Sequence, residues 1–522
     1  MKARFMRTLL LLFVFTLGYV SDIGAQDVDS TDIIFNDSIV HNYYLTFYKE
    51  DWAATLKYNK EENDEEYMPA RFTCVTSGGD SIVLDSIGVR YKGNSTYTEA
   101  RDMPKKSYKF KFDEYIDQTF FGCDKINLNN CFADPSYMRE KLGYDVIRHY
   151  LPTPRVAFAT LTINDTLIGI YSQVEQVNKG FLRRYFDDED GNLYKASDHG
   201  SPLDYKGPNQ SDYEEIYELK TNEEENDWSR FINFLRILDQ STNEEFVSAI
   251  SNVFDLDGAL YHLAWTMVLS HFDSYTGSGR NYYLYDDPST GKFSLIPWDV
   301  NMAFGQFPNG WDVIENNPVQ IANLVVRPLN RRILENDSLK HVYLGYIKEM
   351  IGGPASTATI SAEADRIKSI INSAVAAEPV ESKFYSYEMF NTNVDSNVTI
   401  GSGLGATTIY GIKTFSAERN TRLTAMVAAG VKEKPIRKNI ATHDMYCSFN
   451  AKSSQIKFTI DRYVTDEFEM FLYNSHGCVL SKENVFIDGT ASISTRGLAA
   501  GVYIVKLNGN TDSYTAQVMI TR

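Results

Sequence analysis

Along the first third of the chain, apolar and polar positions alternate in short runs, and a period of two marks strands. His41–Tyr48 and Ser81–Tyr91 read this way. In Tyr108–Phe112 the aromatic Tyr108, Phe110 and Phe112 fall on one face and Lys109 and Lys111 on the other; Lys106 has the parity of the aromatic, inward face. Ala157–Ile163 and Ile168–Glu175 read as a hairpin around Asn164-Asp165, residues suited to a tight turn. The period then lengthens. Glu140–His149 predicts a helix, and Leu256, Leu260, Leu263 and Met267 mark a buried amphipathic helix ending near Ser270. Tyr282–Tyr285 and Phe293–Ile296 predict a second hairpin across the turn Asp286–Gly291. Residues 200–228 show no period and read as an insertion or long loop, and no internal repeat stands out.

The C-terminal pattern differs. Short alternating runs at Ser454–Asp461, Glu467–Tyr473, Ala491–Ser494, Val502–Leu507 and Thr515–Thr521 are separated by turn residues and predict a small all-β sandwich over 447–522. The polar, basic stretch with Pro435 before it reads as a linker over 431–446. Strands and helices mixed over 33–430 make the larger domain α+β. A chain of 522 residues has room for both.

Residues 1–25 follow another grammar. Lys2, Arg4 and Arg7 precede an apolar run from Leu9 to Val20, and Ile23-Gly24-Ala25 supplies small residues before Gln26. This predicts a cleavable secretory signal peptide. The run falls short of the ~20 residues of a membrane span. No other stretch is apolar enough to cross a bilayer, so no transmembrane segment is expected after cleavage.

Net charge is −18, which excludes a general nucleic-acid binder, because no summed positive field would draw in phosphate backbones. Acidic runs at Glu61–Glu66, Asp187–Asp190 and Glu223–Asp227 read as solvated surface. Of five cysteines, Cys123 with Cys131 and Cys447 with Cys478 are candidate pairs by position, which leaves Cys74 over. No Cys-x-x-Cys or His/Cys cluster suggests structural zinc.

Candidate chemistry concentrates after the buried helix. Asp273 stands in a Ser/Gly-rich loop, Asn281 follows, and the second strand of the hairpin delivers Asp299 behind Pro297-Trp298. A loop Asp, then an Asn, a hairpin and a second Asp is the order of catalytic and metal-binding residues in protein kinases. One carboxylate can accept the proton of a hydroxyl; a carboxamide and a second carboxylate offer oxygen to Mg²⁺. Taken alone, such residues also cap helices and make turns.

Several stretches together resemble the CotH family of atypical kinases: Gly88-Val89-Arg90-Tyr91-Lys92-Gly93-Asn94-Ser95, Lys105-Lys106-Ser107-Tyr108, Asn127-Leu128, Asp134–Leu142, Gly169–Gln176, Asp273–Gly305 and Arg327-Pro328-Leu329. The resemblance implies an atypical protein-kinase-like domain that binds ATP and Mg²⁺ (or Mn²⁺) and phosphorylates a protein, on Ser in the first place, with the chain itself a possible acceptor. It implies Asp273 as the catalytic Asp, Asn281 and Asp299 as metal ligands and Lys106 as a phosphate contact. Glu175 would pair with Lys106 or order the metal site. Arg90, beside Asn94 and Ser95, could lie over phosphates, Tyr171 and Trp298 could stack on adenine, and Arg139 could support the site. Each has a plainer alternative: Lys106 a snorkelling lysine, Glu175 a partner of Arg139 or Arg90, Tyr171 and Trp298 core residues, Arg139 a salt bridge.

Leu498, Gly501 and Tyr503 match the Leu-x-x-Gly-x-Tyr signature of the type A sorting domain of the Bacteroidetes type IX secretion system, which the C-terminal domain resembles. The usual Pro-Asn-Pro opening is replaced by Ala441-Thr442-His443. This implies passage through the type IX machinery, by way of the periplasm, to the cell surface or the medium. The alternative function is a surface binding, adhesion or structural protein on an inactive kinase-like fold. A role on polysaccharides finds no nameable pair of catalytic carboxylates.

Overall fold

In the computed structural model, the described residues are 30–430, without 77, 101, 322–323 and 402–406, and 445–520, without 451–454, 461–464, 475–478, 489, 496–497, 499–500 and 509–512. The proposed signal peptide and residues 431–444 of the proposed linker lie outside them, as does Cys478, whereas residues 445 and 446 begin a strand. The chain divides into two compact units, residues 1–431 and 432–522.

Seven strands open the first unit: β1 (Val40–Phe47), β2 (Met68–Val75), β3 (Ser81–Lys92), β4 (Ser107–Lys111), β5 (Lys125–Asn129), β6 (Val156–Ile163) and β7 (Thr166–Glu175). They close into a barrel in the order β1-β2-β3-β4-β5-β7-β6, with β1 and β6 parallel and the other pairs antiparallel. Closure leaves no free edge. Side chains of one parity fill the inside: Tyr43, Phe72, Val89, Tyr108, Phe110 and Tyr171 are all buried there. The β6–β7 hairpin is apolar on both faces because both are covered. Leu161 and Tyr171 join the barrel core, whereas Phe158, Ile170 and Val174 join a second core.

Helices α1 (Trp52–Glu62), α2 (Ser95–Glu99), α3 (Arg139–Ile147) and α4 (Lys179–Tyr185) interrupt or follow these strands. The second core gathers α3, α5 (Ser229–Gln240), α6 (Phe246–Ser251), α7 (Leu256–Val268) and the later helices α8 (Pro328–Glu335), α9 (Asp337–Gly352), α10 (Thr357–Ala377), α11 (Tyr387–Asp395) and α12 (Ile412–Gly430). A four-stranded antiparallel sheet lies among them. Its strands β8 (Leu193–Ala196), β9 (Tyr217–Leu219), β10 (Tyr282–Asp287) and β11 (Lys292–Pro297) run in the order β11-β10-β8-β9. Residues 200–228 are therefore more than a loop. Tyr213 and Tyr217 are buried in the core, and Tyr217–Leu219 pairs with β8.

Cys123 and Cys131 do not pair; both are free thiols, as is Cys74. The five-residue β5 separates them, and an extended strand of that length holds its ends roughly 17 Å apart. Cys123 Sγ turns to the carbonyl of Lys125, and Cys131 Sγ lies 3.5 Å from the Ser172 hydroxyl.

The second unit is a single row of seven antiparallel strands spanning Met445–Ile520. Phe468, Met470 and Leu472 alternate onto one buried face, as do Tyr503, Val505 and Leu507. Gly501 opens the strand Gly501–Asn508, and Tyr503 is buried in it. Among the described residues, no helix is long and apolar enough to cross a membrane.

Candidate functional site

A polar cavity of about 460 Å³ lies between the outer face of the barrel and the second sheet, and Asp273, Asn281 and Asp299 all line it. Their convergence follows from local structure. Two residues past the end of helix α7, Ser270 has a left-handed backbone (φ 46°), which turns the chain into the loop that bears Asp273. Arg327 holds that loop from behind, donating to the carbonyls of Tyr275 (2.7 Å) and Gly277 (2.9 Å). Asn281 Nδ2 donates to the Asp273 carbonyl at 2.7 Å, which ties the loop to the start of β10. Tyr282 pairs with Pro297 across the hairpin, and the Trp298 amide donates to the Asn281 carbonyl at 3.0 Å. The hairpin thus sets Asn281 and Asp299 side by side. Both have positive φ (60° and 51°), a conformation that Asn and Asp tolerate better than most side chains and that concentrates at functional sites.

The opposite wall is cationic. Arg90, Lys92 and Lys109 line it from β3 and β4, and Lys195 joins from β8. Strand parity puts the first three together: Arg90 and Lys92 are two residues apart, and Arg90 pairs directly across from Lys109. Lys92 Nζ donates to Asn129 Oδ1 at 2.8 Å, and Asn129 Nδ2 donates to Glu140 of α3 at 2.8 and 3.0 Å. One carboxamide therefore bridges an ammonium and a carboxylate beside Asp299. The Lys92 ammonium also stands 5.6 Å from the Trp298 ring centre.

Burial dominates the electrostatics. It pushes Asp299 up to about 6, with Asp273 and Asp198 adding to the rise and Lys92 and Lys195 opposing it. It pushes Glu140 up to about 8, reinforced by Asp299 and opposed by Asn129 and Lys92. Lys109 is held well below the usual ammonium range by burial and then by Arg90 and Lys92. Because Glu140 and Asp299 hold protons more tightly in the folded chain, what these two groups add to stability is fully present below their ordinary range and is lost as pH rises through about 6 and then about 8. Glu140→Gln is expected to flatten this slope: between about pH 5 and about pH 8 the thermal midpoint of the variant should move less than that of the wild type. A parallel slope would remove Glu140 from the account.

Trp298 and Arg90 join the cavity; Arg90 is ion-paired to Glu65, with its guanidinium 5.2 Å from the Tyr67 ring centre. Four other expected residues do not join it. Lys106 lines a separate cavity at the barrel mouth, its ammonium 4.8 Å from the Tyr97 ring centre. It has the parity of Tyr108 and Phe110, opposite to that of Lys109. Glu175 ends β7 and is bound by Arg155 (2.5 Å) and Arg184, not by Arg139 or Arg90. It does not meet Lys106, which lines its own cavity with Tyr97 and Ile168. Tyr171 is wholly buried inside the barrel, its ring against Tyr108 and the Lys105 ammonium. Arg139 is buried too, paired with Asp134 and donating to Asn393 Oδ1 and the Tyr410 carbonyl, which staples α3 to α11. Strand parity could have found Lys92 and Lys109; nothing in the sequence points to Lys195 or to the Asn129 bridge.

The donor set fits a hard divalent cation: two carboxylates and a carboxamide give oxygen ligands and leave positions for water or phosphate. Among the described residues, no group of three or more His, Cys, Asp or Glu could hold a metal by itself. The cationic wall fits the phosphates such an ion would accompany.

Among known proteins, the inner spore coat protein H of Bacillus subtilis is 29% identical over 267 residues, 49% of this chain and 68% of that protein. Two solved structures are similar at scores too low to bear on the fold. One is a DUF3244 family protein with an immunoglobulin-like β-sandwich from Bacteroides vulgatus (TM-score 0.13, 12% identity, 15% of this chain and 85% of that one). The other is the twitchin kinase region from C. elegans (TM-score 0.17, 9% identity, 87% of each chain). Residues 450–521 match the secretion system C-terminal sorting domain, which marks the chain for export by type IX secretion to the cell surface or beyond. Residues 89–399, more than half of the chain and including Arg90, Lys92, Lys109, Lys195, Asp273, Asn281 and Asp299 of the cavity, match the CotH kinase protein family, and the chain belongs to it.

Proposed function

We propose that this chain is an exported protein kinase that transfers the γ-phosphate of ATP to a protein hydroxyl, Ser in the first place. The observation that carries the reading is the single polar cavity in which Asp273, Asn281 and Asp299 face Arg90, Lys92, Lys109 and Lys195. Phosphoryl transfer asks for position and charge more than for a strong nucleophile. Asp273 would orient the acceptor hydroxyl and take its proton. Asn281 and Asp299 would hold the divalent cation, which supplies charge neutralisation at the phosphates when bound. Lys92, braced through Asn129 to Glu140 on α3, plays the part of the strand lysine and helix glutamate of protein kinases. The barrel with α3 then stands as the nucleotide-binding lobe and the helical core as the lobe bearing Asp273.

The test is transfer of labelled γ-phosphate from ATP by the purified protein, to itself and to a Ser-rich acceptor, with Mg²⁺ or Mn²⁺. Transfer supports the reading. Silence together with an absence of metal-dependent nucleotide binding would overturn it in favour of a surface binding protein.

The lysines separate by measurement. Lys109→Met is expected to weaken binding of a non-hydrolysable ATP analogue about 10–100-fold, the worth of one charge-assisted hydrogen bond. Lys106→Met should stay within about threefold of wild type, since its ammonium lies outside the cavity. Calorimetric titration reads both, and the reverse order would return the phosphate role to Lys106.

A further inference from the structure

The cavity lined by Asp273, Asn281 and Asp299 is also lined by hydroxyl side chains. Ser95 and Thr96 bring side-chain hydroxyls of the aliphatic kind into its lining, from the first turn of α2. That turn is held over the cavity. Asn94 bonds to Asp198 on the loop after β8, and the Thr98 amide donates to the Asn94 carbonyl at 3.0 Å. Gly93 has φ 84°, and a Cβ there would lie 2.3 Å from Thr96 Oγ1, so the threonine hydroxyl packs in the space that only glycine leaves. Ser95 is exposed, whereas Thr96 is half-buried and lines both the main cavity and the small pocket beneath it. Asp299 lines the same two spaces. Hydroxyl, proton acceptor, oxygen ligands and phosphate-binding cations thus share one enclosure.

We propose that Thr96 is phosphorylated within the same chain and that the product limits the kinase. The inference rests on the kinase reading. Thr96 Oγ attacks the γ-phosphorus of ATP, and the bond from that phosphorus to the β–γ bridging oxygen breaks, its electron pair leaving with ADP. The hydroxyl proton passes to the Asp273 carboxylate. Phosphothreonine at 96 places a dianion in the cavity lined by Arg90, Lys92, Lys109 and Lys195, the groups that would receive the nucleotide phosphates, and so competes with those phosphates.

The whole protein is incubated with ATP and Mg²⁺, and the tryptic peptide 93–101 is sequenced by mass spectrometry, with a Ser-rich acceptor assayed in parallel. The expected result is phosphate on Thr96, formed at a rate independent of protein concentration, retained as phosphoserine in Thr96→Ser and at least about tenfold lower on this peptide in Thr96→Val. A second readout needs no turnover: Thr96→Glu should bind a non-hydrolysable ATP analogue at least about tenfold more weakly than Thr96→Val. Transfer to the acceptor with peptide 93–101 unmodified overturns this inference alone. So does phosphate on Ser95 instead, or labelling that accelerates with protein concentration. Absence of transfer to any acceptor overturns it along with the kinase reading.

Discussion

Asp273→Asn is expected to slow phosphate transfer about 10³-fold while leaving affinity for a non-hydrolysable ATP analogue within about threefold. The substitution keeps the volume of the side chain and removes its capacity to take a proton. The contact that anchors the loop survives, because Asn281 Nδ2 donates to the backbone carbonyl of residue 273 and Arg327 to the carbonyls of Tyr275 and Gly277. Asp299→Asn should behave differently. It takes away the carboxylate that, with Asn281, would hold the cation and leaves Lys92 and Lys195 less compensated, so metal-dependent nucleotide affinity should fall with the rate, by at least about tenfold. Single-turnover transfer and calorimetry on the same samples separate the two outcomes. If Asp273→Asn retained transfer within about tenfold of wild type, the proton would have another destination and Asp273 a structural role.

The largest effect on stability is expected at Glu378, just beyond α10. Its carboxylate is fully buried against the Lys105 ammonium and accepts from the Tyr137 hydroxyl (2.6 Å) and the Ile170 amide (3.2 Å). The ammonium in turn stands 4.8 Å from the Tyr137 ring centre and 5.5 Å from that of Tyr171. Gly169 makes room for this arrangement: its φ is 148°, and a Cβ there would lie 2.1 Å from Glu378 Oε1. The cluster joins the helical core to the barrel. Glu378→Ala leaves a buried charge without its partner and should cost about 3–5 kcal/mol. Lys105→Met combined with Glu378→Leu should recover much of that loss, since both charges leave together. Denaturant midpoints of the three proteins check it. A double variant no more stable than Glu378→Ala would mean that the pair is not what holds the two cores together.

The contrast between Lys106 and Lys109 shows where sequence reading reached its limit. The period of two over Tyr108–Phe112 assigned the faces correctly, with Tyr108, Phe110 and Phe112 buried inside the barrel. It also put Lys106 on the inner parity and Lys109 on the outer one. What it could not say is which face looks toward Asp273, because that depends on the second sheet packing against the outside of the barrel. Glu175 and Tyr171 misled for the same reason. They sit in a family-like stretch, yet one ends at Arg155 and the other inside the barrel. The predicted pairing of Cys123 with Cys131 overlooked the strand between them.

The amino-acid sequence by itself determined what is local. Alternation set the strands and their inner faces, helical spacing set α3 and α7, and the run from Asp273 to Asp299 set a loop followed by a hairpin, since backbone geometry within some thirty residues follows from turn chemistry and periodicity. Asn281 and Asp299 became neighbours by hairpin register alone. The tertiary structure decided what meets across elements: Lys92 and Lys109 of the barrel wall against Asp299, Lys195 from a four-residue strand, and Asn129 between Lys92 and Glu140. Those contacts join residues tens to hundreds of positions apart. They depend on how two cores, each satisfied by burial of its own apolar faces, present their outer polar surfaces to one another, and no periodicity within a segment encodes that.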